Sequence, residues 1–207
     1  GLIAHDWGGA VAWNAANQHP EAMRRLMVIN SPHPGTFLRE LQNSPTQQAA
    51  SAYMNFLIRP DAEALLSQDD FRRLWEFFTN MGAADGPHPW LTDAFKDYYR
   101  AVWKQGLTGP LNYYRASPMR PAREGDAAVA GLQLPQSMLT ISVPTCVIWG
   151  MQDIALPAGL IDGLDAFVSK LTLHCIEDGT HWVVHEQPIR VTGLLENYLR
   201  DTKVESP

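Results

Sequence analysis

An acidic side chain at a strand-to-helix turn is the most reactive arrangement in this 207-residue sequence. Asp6 follows the apolar residues 1–4, and the small residues 9–16 after it are typical of a helix. Small residues two positions before and after a side chain (AHDWG, residues 4–8) permit the crowded turn that exposes a nucleophile. The amides and the dipole at the start of the helix favour an ionised carboxylate there. The pattern predicts Asp6 as a nucleophile, and the alternative is a helix cap before a glycine turn.

An acid and a histidine follow in the order that such a nucleophile requires. Asp153 lies a few residues beyond the apolar segment 145–149, and His181 lies just beyond the segment 171–176. Both would stand on loops at the carboxyl ends of successive strands. A loop aspartate alone is commonly a turn former, and a loop histidine alone is commonly solvated. Their order and spacing together predict a catalytic triad of Asp6, Asp153 and His181.

Competing side chains fit these roles less well. His185 would lie at the start of a turn or helix, and the loop after segment 26–30 reads NSP at residues 30–32 and has no carboxylate. The remaining histidines lack the acid-histidine spacing or point along a strand: His5, His19, His33, His88 and His174. His181 is therefore the predicted base and Asp153 its acid.

These motifs identify a family. Residues 5–9 (HDWGG), 149–153 (WGMQD), 179–182 (GTHW) and 186–188 (EQP) resemble the epoxide hydrolases of the α/β-hydrolase fold, and the similarity spans essentially the whole chain. The resemblance implies an α/β class protein that holds the C-terminal portion of a mostly parallel sheet, with an inserted helical cap domain. The same Asp-Trp pair occurs in haloalkane dehalogenases, so the turn alone does not separate the two chemistries.

The resemblance also implies two cap tyrosines that donate hydrogen bonds to the oxirane oxygen. Tyr53 precedes Pro60 by seven residues, and Tyr114 is the fourth residue of the motif LNYYR at residues 111–115. Ordinary packing in the core of the cap is the alternative for both rings. The other tyrosines of this region fit the motifs less well: Tyr98, Tyr99 and Tyr113.

The chemistry explains why these residue types belong together. An epoxide or alkyl halide reacts at an sp³ carbon, so the Asp6 carboxylate can attack it directly and form an alkyl ester. Ring opening of an epoxide leaves an alkoxide that Tyr53 and Tyr114 would stabilise or protonate. His181, oriented by Asp153, would then deprotonate the water that attacks the ester. We expect a vicinal diol from a small hydrophobic epoxide and water, with no metal or organic cofactor.

Two other functions stay open. Departure of a halide needs no proton, so hydrolysis of a haloalkane fits the same nucleophile, with Trp7 and a cap residue around the halide. A non-catalytic or incomplete protein of the same fold that retains the motif residues is the other alternative. The sequence determines neither substrate size, stereoselectivity nor oligomeric state.

The start of the sequence bears on the oxyanion site. The family implies that the backbone N–H of Trp7 holds the oxyanion together with a second N–H from a His-Gly-x-Pro loop, a motif that this sequence lacks. The chain opens on a strand without a methionine, so we expect the N-terminal strands of the fold to be missing. The first strand would then have an unpaired edge, and these residues alone would be unstable or inactive.

Hydrophobic periodicity divides the chain into three parts. Residues 1–35 and 138–207 alternate strand-like and helical segments, as expected of the α/β core. Residues 36–137 have helical periodicity, many aromatic residues and no convincing strand, and so predict the cap. The helices predicted after the first strand-helix-strand unit cover residues 46–59, 69–79, 92–105, 157–167 and 188–200. Ser44, Pro45 and Gln47 form a capping-box pattern at the first of these, and residues 201–207 are expected to fray.

Composition excludes several classes of partner. The net charge is −6 and no basic cluster alternates with aromatic residues, which argues against nucleic acid. No apolar run approaches the roughly 18 residues of a membrane helix, and the first residues lack a signal-peptide pattern. Cys146 and Cys175 each lie in an apolar segment that predicts a buried strand, so both are expected to fill the core rather than pair. This usage favours a soluble protein of a reducing cytoplasm.

Overall fold

Four parallel strands form one sheet in the computed structural model, which describes residues 1–201. In sheet order, which is also chain order, the strands are β1 (Leu2–His5), β2 (Leu26–Ile29), β3 (Thr145–Gly150) and β4 (Leu171–Ile176). Leu26 is in register with Leu2 on one side and Thr145 on the other. The predicted α/β class is confirmed, and the carboxyl ends of all four strands meet at one edge of the sheet.

The nine α-helices of residues 1–201 lie between or after the strands. In chain order they are α1 (Trp7–Gln18), α2 (Pro34–Asn43), α3 (Pro45–Ala50), α4 (Tyr53–Leu57), α5 (Ala62–Asn80), α6 (Asp93–Trp103), α7 (Thr108–Ala116), α8 (Val183–Glu186) and α9 (Pro188–Arg200). Short 3₁₀ helices cover Pro20–Ala22, Ala128–Gly131, Gln136–Met138, Ala158–Ile161 and Leu164–Ala166. Six α-helices, α2 to α7, therefore separate β2 from β3. The three-part division at residues 35 and 137 stays a prediction.

Both faces of the central strands are covered, and every residue of β2 and β3 is buried. Val28, Val147 and Trp149 lie in one apolar cluster with residues of α1. Alternate residues such as Met27 and Cys146 lie in a second cluster with α8 and α9. The sheet is thus a rigid base from which the loops at its carboxyl edge project.

Only one cysteine fills the core. Cys146 on β3 is buried, whereas Cys175 on β4 is exposed, and both thiols are free. The prediction that both are buried is wrong for Cys175 because β4 ends the described sheet and turns alternate side chains outward.

The helix predicted over residues 46–59 is interrupted. The Ser44 hydroxyl accepts a hydrogen bond from the Gln47 backbone N–H, as the capping pattern predicts. The Gln47 side chain does not return to the cap, since it donates to Ser51 Oγ at 2.8 Å and to the Ala155 carbonyl at 3.2 Å. The chain turns at Ser51, which ends α3, and α4 begins at Tyr53.

Backbone conformations that the periodicity does not reveal account for two further differences. The helix predicted from residue 69 begins at Ala62, and it is broken at Asp69, Asp70 and Phe71, whose φ angles of 52°, 54° and 60° lie in the left-handed region. The helix predicted over residues 157–167 is two 3₁₀ helices separated by Gly163, with φ of 68°.

Two other helices agree with the sequence. The helix predicted over residues 92–105 is confirmed as α6, with the Thr92 hydroxyl as its cap, and the final helix is confirmed as α9. The tail predicted to fray lies, beyond Asp201, outside the described residues. Among residues 1–201 no helix has the length and apolar character needed to cross a membrane.

Candidate active site

Asp6 occupies a strained turn between β1 and α1. Its φ of 50° and ψ of −125° are unusual for a residue other than glycine and cost on the order of 1–3 kcal/mol. It stands at the N-cap position of α1, but its side chain makes no capping hydrogen bond to the helix, which argues against the helix-cap alternative. One carboxylate oxygen, Oδ1, instead lies 3.3 Å from Nε2 of His181.

A close approach between α1 and the loop after β2 shapes this turn. A Cβ atom added to Gly9 would lie 2.3 Å from the Cβ of Ser31, so only glycine fits there. Ser31 Oγ donates to the Asp6 carbonyl at 2.6 Å. A Cβ added to Gly8 would meet the Ala4 Cβ at 3.9 Å, an ordinary contact. The strict steric requirement in the motif thus falls on Gly9.

His181 and Asp153 are joined in the buried layer behind Asp6. His181 Nδ1 donates to Asp153 Oδ2 at 2.8 Å. The other oxygen, Oδ1, accepts from the backbone N–H groups of Ala155 and Leu156, each at 2.9 Å. Asp153 and His181 are 4% and 5% exposed, so little water competes for these bonds. The imidazole ring is therefore fixed between two carboxylates.

Asn30 completes the surroundings of Asp153. Its Nδ2 donates to Asp153 Oδ2 at 2.8 Å, and its Oδ1 accepts from the Gly150 N–H at 2.8 Å. Because a backbone N–H can only donate, this pair of bonds fixes which end of the amide faces the acid. Asn30 is fully buried with a φ of 37°, a left-handed value that asparagine tolerates better than most residues. The sequence could have indicated a role for Asn30 through its position, since it follows β2, the neighbour of the strand that precedes Asp153.

A carboxylate clamp holds the loop that carries His181. Glu186 accepts from the Thr180 backbone N–H at 2.8 Å and from the Thr180 hydroxyl at 2.7 Å. The same hydroxyl accepts from the Trp182 N–H at 3.1 Å. A Cβ added to Gly150 would lie 2.4 Å from the Thr180 carbonyl oxygen, so β3 and this loop are in direct backbone contact.

The charges of the three groups depend on one another. Burial alone lowers the pKa of His181, but the charge of Asp153, its hydrogen bond and the bond to Asp6 together raise that pKa to about 10. Burial raises the pKa of Asp6, but the hydrogen bond and charge of His181 outweigh it and leave the pKa below its ordinary value. At neutral pH the free site therefore holds an imidazolium between two carboxylates.

Asp6, His181, Tyr53 and Tyr114 line one cavity of about 220 Å³, whose other walls are mainly apolar side chains from α4 to α7. The rings of Tyr53 and Tyr114 are 6.1 Å apart, centroid to centroid. Burial, and next the neighbouring Tyr114 hydroxyl, raises the pKa of Tyr53 well above 10. Burial and the charge of Asp6 raise the pKa of Tyr114 to about 12. Both phenols therefore keep their protons at neutral pH.

A second apolar cavity of about 270 Å³ meets the first at Asp6 and Tyr53. Trp7 lines it, and the Trp7 ring makes an edge contact with the ring of Tyr114 at 5.1 Å. The fold thus brings together all six side chains singled out from the sequence, with Asp153 behind His181 and the others around the cavities. Within residues 1–201 there is no group of three or more metal-ligating side chains placed to hold an ion.

Residues 1–188 match the family model of the α/β hydrolase fold. The chain is 33% identical over 203 residues to the AB hydrolase superfamily protein YfhM of Bacillus subtilis (strain 168), covering 97% of this chain and 65% of that protein. It is 31% identical over 205 residues to epoxide hydrolase 4 of Mus musculus, covering 97% of this chain and 54% of that protein. The chain thus spans roughly half to two thirds of the length of these relatives.

A solved structure shares the architecture as well. The crystal structure of a Bacillus megaterium epoxide hydrolase in complex with an inhibitor superposes with a TM-score of 0.82 at 29% identity. The match covers 97% of this chain and 69% of that one.

Proposed function

The chain belongs to the α/β-hydrolase-fold family, and on that premise we propose that it opens epoxides to vicinal diols through a covalent ester on Asp6. One observation carries the proposal: the carboxylate of Asp6 and two half-buried, protonated phenols, Tyr53 and Tyr114, line the same apolar cavity. Epoxide hydrolases among its relatives support the same substrate class.

In the first step Asp6 attacks an epoxide carbon and the carbon–oxygen bond of the ring breaks. The pKa of Asp6 below its ordinary value keeps it ionised, so it needs no base. Tyr53 and Tyr114 donate hydrogen bonds to the departing oxygen, and one of them supplies its proton. The apolar walls of the cavity lower the local dielectric around these donors and strengthen the stabilisation of the alkoxide.

In the second step water attacks the carbonyl of the Asp6 ester. Formation of the ester removes the negative charge that faced His181 Nε2, so the pKa of His181 falls from about 10. The ring then gives up its proton, which restores the phenol that protonated the alkoxide, and the neutral imidazole can act as the base. Asp153 keeps the ring oriented and stabilises the imidazolium that forms when water gives up its proton. The Trp7 backbone N–H is the proposed local donor to the oxyanion.

We also propose that residues 36–137 form the cap. A cytoplasmic location stays a prediction.

The tyrosine pair favours an epoxide over a haloalkane, because a departing halide needs no proton whereas an alkoxide does. Rates on an aryl epoxide and a short haloalkane should therefore diverge in the variant Y53F/Y114F. Loss of the epoxide activity alone supports the proposal. If the wild-type protein acts mainly on the haloalkane and Y53F/Y114F keeps that activity, dehalogenation is favoured instead.

Oxygen-18 water tests the ester directly in the full-length protein. After a single turnover, we expect the peptide that contains Asp6 to carry the heavy oxygen and the diol to carry none, because water attacks the ester carbonyl. The variant Asp6→Asn is the control without a nucleophilic carboxylate. A first-turnover diol that carries the label, with unlabelled Asp6, would contradict the mechanism. A full-length wild-type protein inert on both substrates would favour the non-catalytic alternative.

A further inference from the structure

We propose that His5 is a positioning residue for His181 that acts on the hydrolysis of the Asp6 ester, an inference that rests on the proposed function. His5 ends β1, directly before the nucleophile. Its Nε2 lies 2.9 Å from the main-chain carbonyl oxygen of His181, which is 176 residues away in the chain. The two imidazole rings are also in contact, with centroids 4.9 Å apart.

The direction of this bond follows from its partners. A carbonyl oxygen can only accept, so Nε2 of His5 must carry the hydrogen. Burial, and next the positive charge of His181, lower the pKa of His5 to about 4, so the ring is neutral at physiological pH. A neutral ring with its hydrogen on Nε2 satisfies the carbonyl without adding a positive charge beside the imidazolium of His181.

The bond connects the two strand ends that carry the nucleophile and the base. Other contacts tie the His181 loop to β3 and α8: Gly179 accepts from Gln152 at 2.9 Å, and Glu186 holds Thr180. His5 instead ties the loop to β1 and so sets the separation between His181 and Asp6. The distance between Asp6 and His181 is therefore fixed by this bond to the main chain as well as by the ion pair of the two side chains.

The importance of this connection changes during the reaction. In the free site, the attraction between Asp6 and Nε2 of His181 helps to hold the ring. Once Asp6 is an ester, that ion pair is gone. The bond from His181 Nδ1 to Asp153 then orients the ring, and the bond from His5 to the His181 carbonyl keeps the residue over the ester. Loss of the His5 bond should therefore slow hydrolysis more than alkylation.

The test compares His5→Phe, which keeps a ring and loses the donor, with His5→Gln, whose amide can donate from a position near Nε2. Alkylation and hydrolysis rates are measured separately by rapid quenching with an aryl epoxide. A small misplacement of a catalytic group costs up to about 100-fold, so we expect hydrolysis by His5→Phe to slow by about 10- to 100-fold and the ester to accumulate. His5→Gln should recover most of the rate. If His5→Phe does not fold, His5→Asn, whose amide ends short of the carbonyl, replaces it.

The matched control is His33→Phe. His33 is more deeply buried than His5 and packs against Trp13 and Phe167, but its imidazole Nδ1 accepts from the Gly35 N–H and makes no bond to the His181 loop. Ester accumulation in His33→Phe equal to that in His5→Phe would overturn the inference by assigning the effect to general destabilisation. Unchanged hydrolysis in His5→Phe, or no recovery in His5→Gln, would also overturn it.

The variant His181→Gln separates this inference from the proposed function. Removal of the base should trap the ester, because alkylation by Asp6 does not require His181 as a base. If His181→Gln accumulates an ester while His5→Phe does not, the inference fails and the function stands. If no ester forms in His181→Gln, both fail.

Discussion

Two regions build the candidate site, and they hold their side chains by different means. At the sheet edge, the Asp153 carboxylate accepts four hydrogen bonds, one of them from His181. In the helices between β2 and β3, Tyr53 and Tyr114 are held mainly by contacts with apolar and aromatic side chains. Directional bonds at the sheet edge fix orientation, whereas packing in the helices fixes position and leaves a cavity.

The difference assigns different tolerances to the two regions. A bonded carboxylate or amide at the sheet edge has no equivalent replacement, because a lost partner leaves a buried polar group unsatisfied. The walls of the cavity, such as Leu74 and Met81, are apolar and can exchange for side chains of similar volume at small cost. We expect the sheet edge to determine the reaction and the helical walls to determine which substrates fit.

The largest expected effect tests the chemical role of the helical region. The double substitution Y53F/Y114F removes both phenol donors and keeps both rings, so epoxide alkylation should slow by about 10²- to 10⁴-fold with little change in unfolding free energy. Rapid-quench measurement of the ester provides the rate. Tyr113→Phe is the neighbouring control, since Tyr113 is 49% exposed and lies outside both cavities. Wild-type ring opening by the double variant would sink the assignment.

Steric contact at the sheet edge gives the next largest effect. Gly150→Val forces a side chain against the Thr180 carbonyl, and because backbone must move, the free energy of unfolding should fall by about 3 kcal/mol. Urea denaturation measures it. Gly193 in α9 has no atom within 4 Å of an added Cβ, so Gly193→Ala should instead stabilise by up to about 1 kcal/mol. Equal responses at the two glycines would refute the close approach.

Asn30→Leu tests the hydrogen-bond network without adding a charge. It leaves the Gly150 N–H and one position on Asp153 Oδ2 without their partner, so we expect a loss of about 2 kcal/mol in unfolding stability and slower ester hydrolysis. Thermal unfolding and rapid quenching measure the two effects. Asn43→Ala, at an exposed position in α2, is the control and should change stability by less than about 0.5 kcal/mol. A neutral outcome at Asn30 would mean that the network is dispensable.

The last comparison uses pH to distinguish His181, the base at the sheet edge, from the two tyrosine acids of the helices. Hydrolysis needs neutral His181, so its rate should rise by about tenfold per pH unit and level off at the pKa of His181 in the ester, which lies below 10. Alkylation should stay level over the same range, because Asp6 remains ionised and Tyr114 keeps its proton until about pH 12. Single-turnover rates between pH 5 and 10 provide both curves. Hydrolysis that levels off only at or above pH 10 would show that the ester does not lower the pKa of His181.

The two regions also differ in how far the sequence predicts them. Asp6, Asp153 and His181 each follow an apolar strand within a few residues, and parallel strands bring such positions together, so local patterns suffice. Asn30, His5 and Glu186 were missed because their contacts depend on residues from other parts of the fold. His5 ends a strand like any other residue until its bond to the His181 carbonyl is seen.

The sequence pattern did not predict the breaks in the helices, because these depend on single backbone angles. Hydrophobic periodicity continues through Asp69 and Phe71, but the left-handed backbone at these residues divides α5. Aspartate can adopt this conformation, so no glycine marks the break in the sequence. In the same way, Gly163 splits the helix predicted at residues 157–167. Periodicity reports which side chains are apolar, and it is insensitive to single backbone angles.

The order of the strands has a consequence for folding. In chain order, β4 is the last strand of the described sheet, and His181 follows it. The hydrogen bond between His5 and His181 joins residues 176 positions apart, so it is a highly nonlocal contact. During synthesis, the turn bearing Asp6 leaves the ribosome long before the loop bearing His181. We therefore expect recovery of ester hydrolysis to lag behind burial of β2 and β3 in refolding, so that turnover reports the closing stage of assembly.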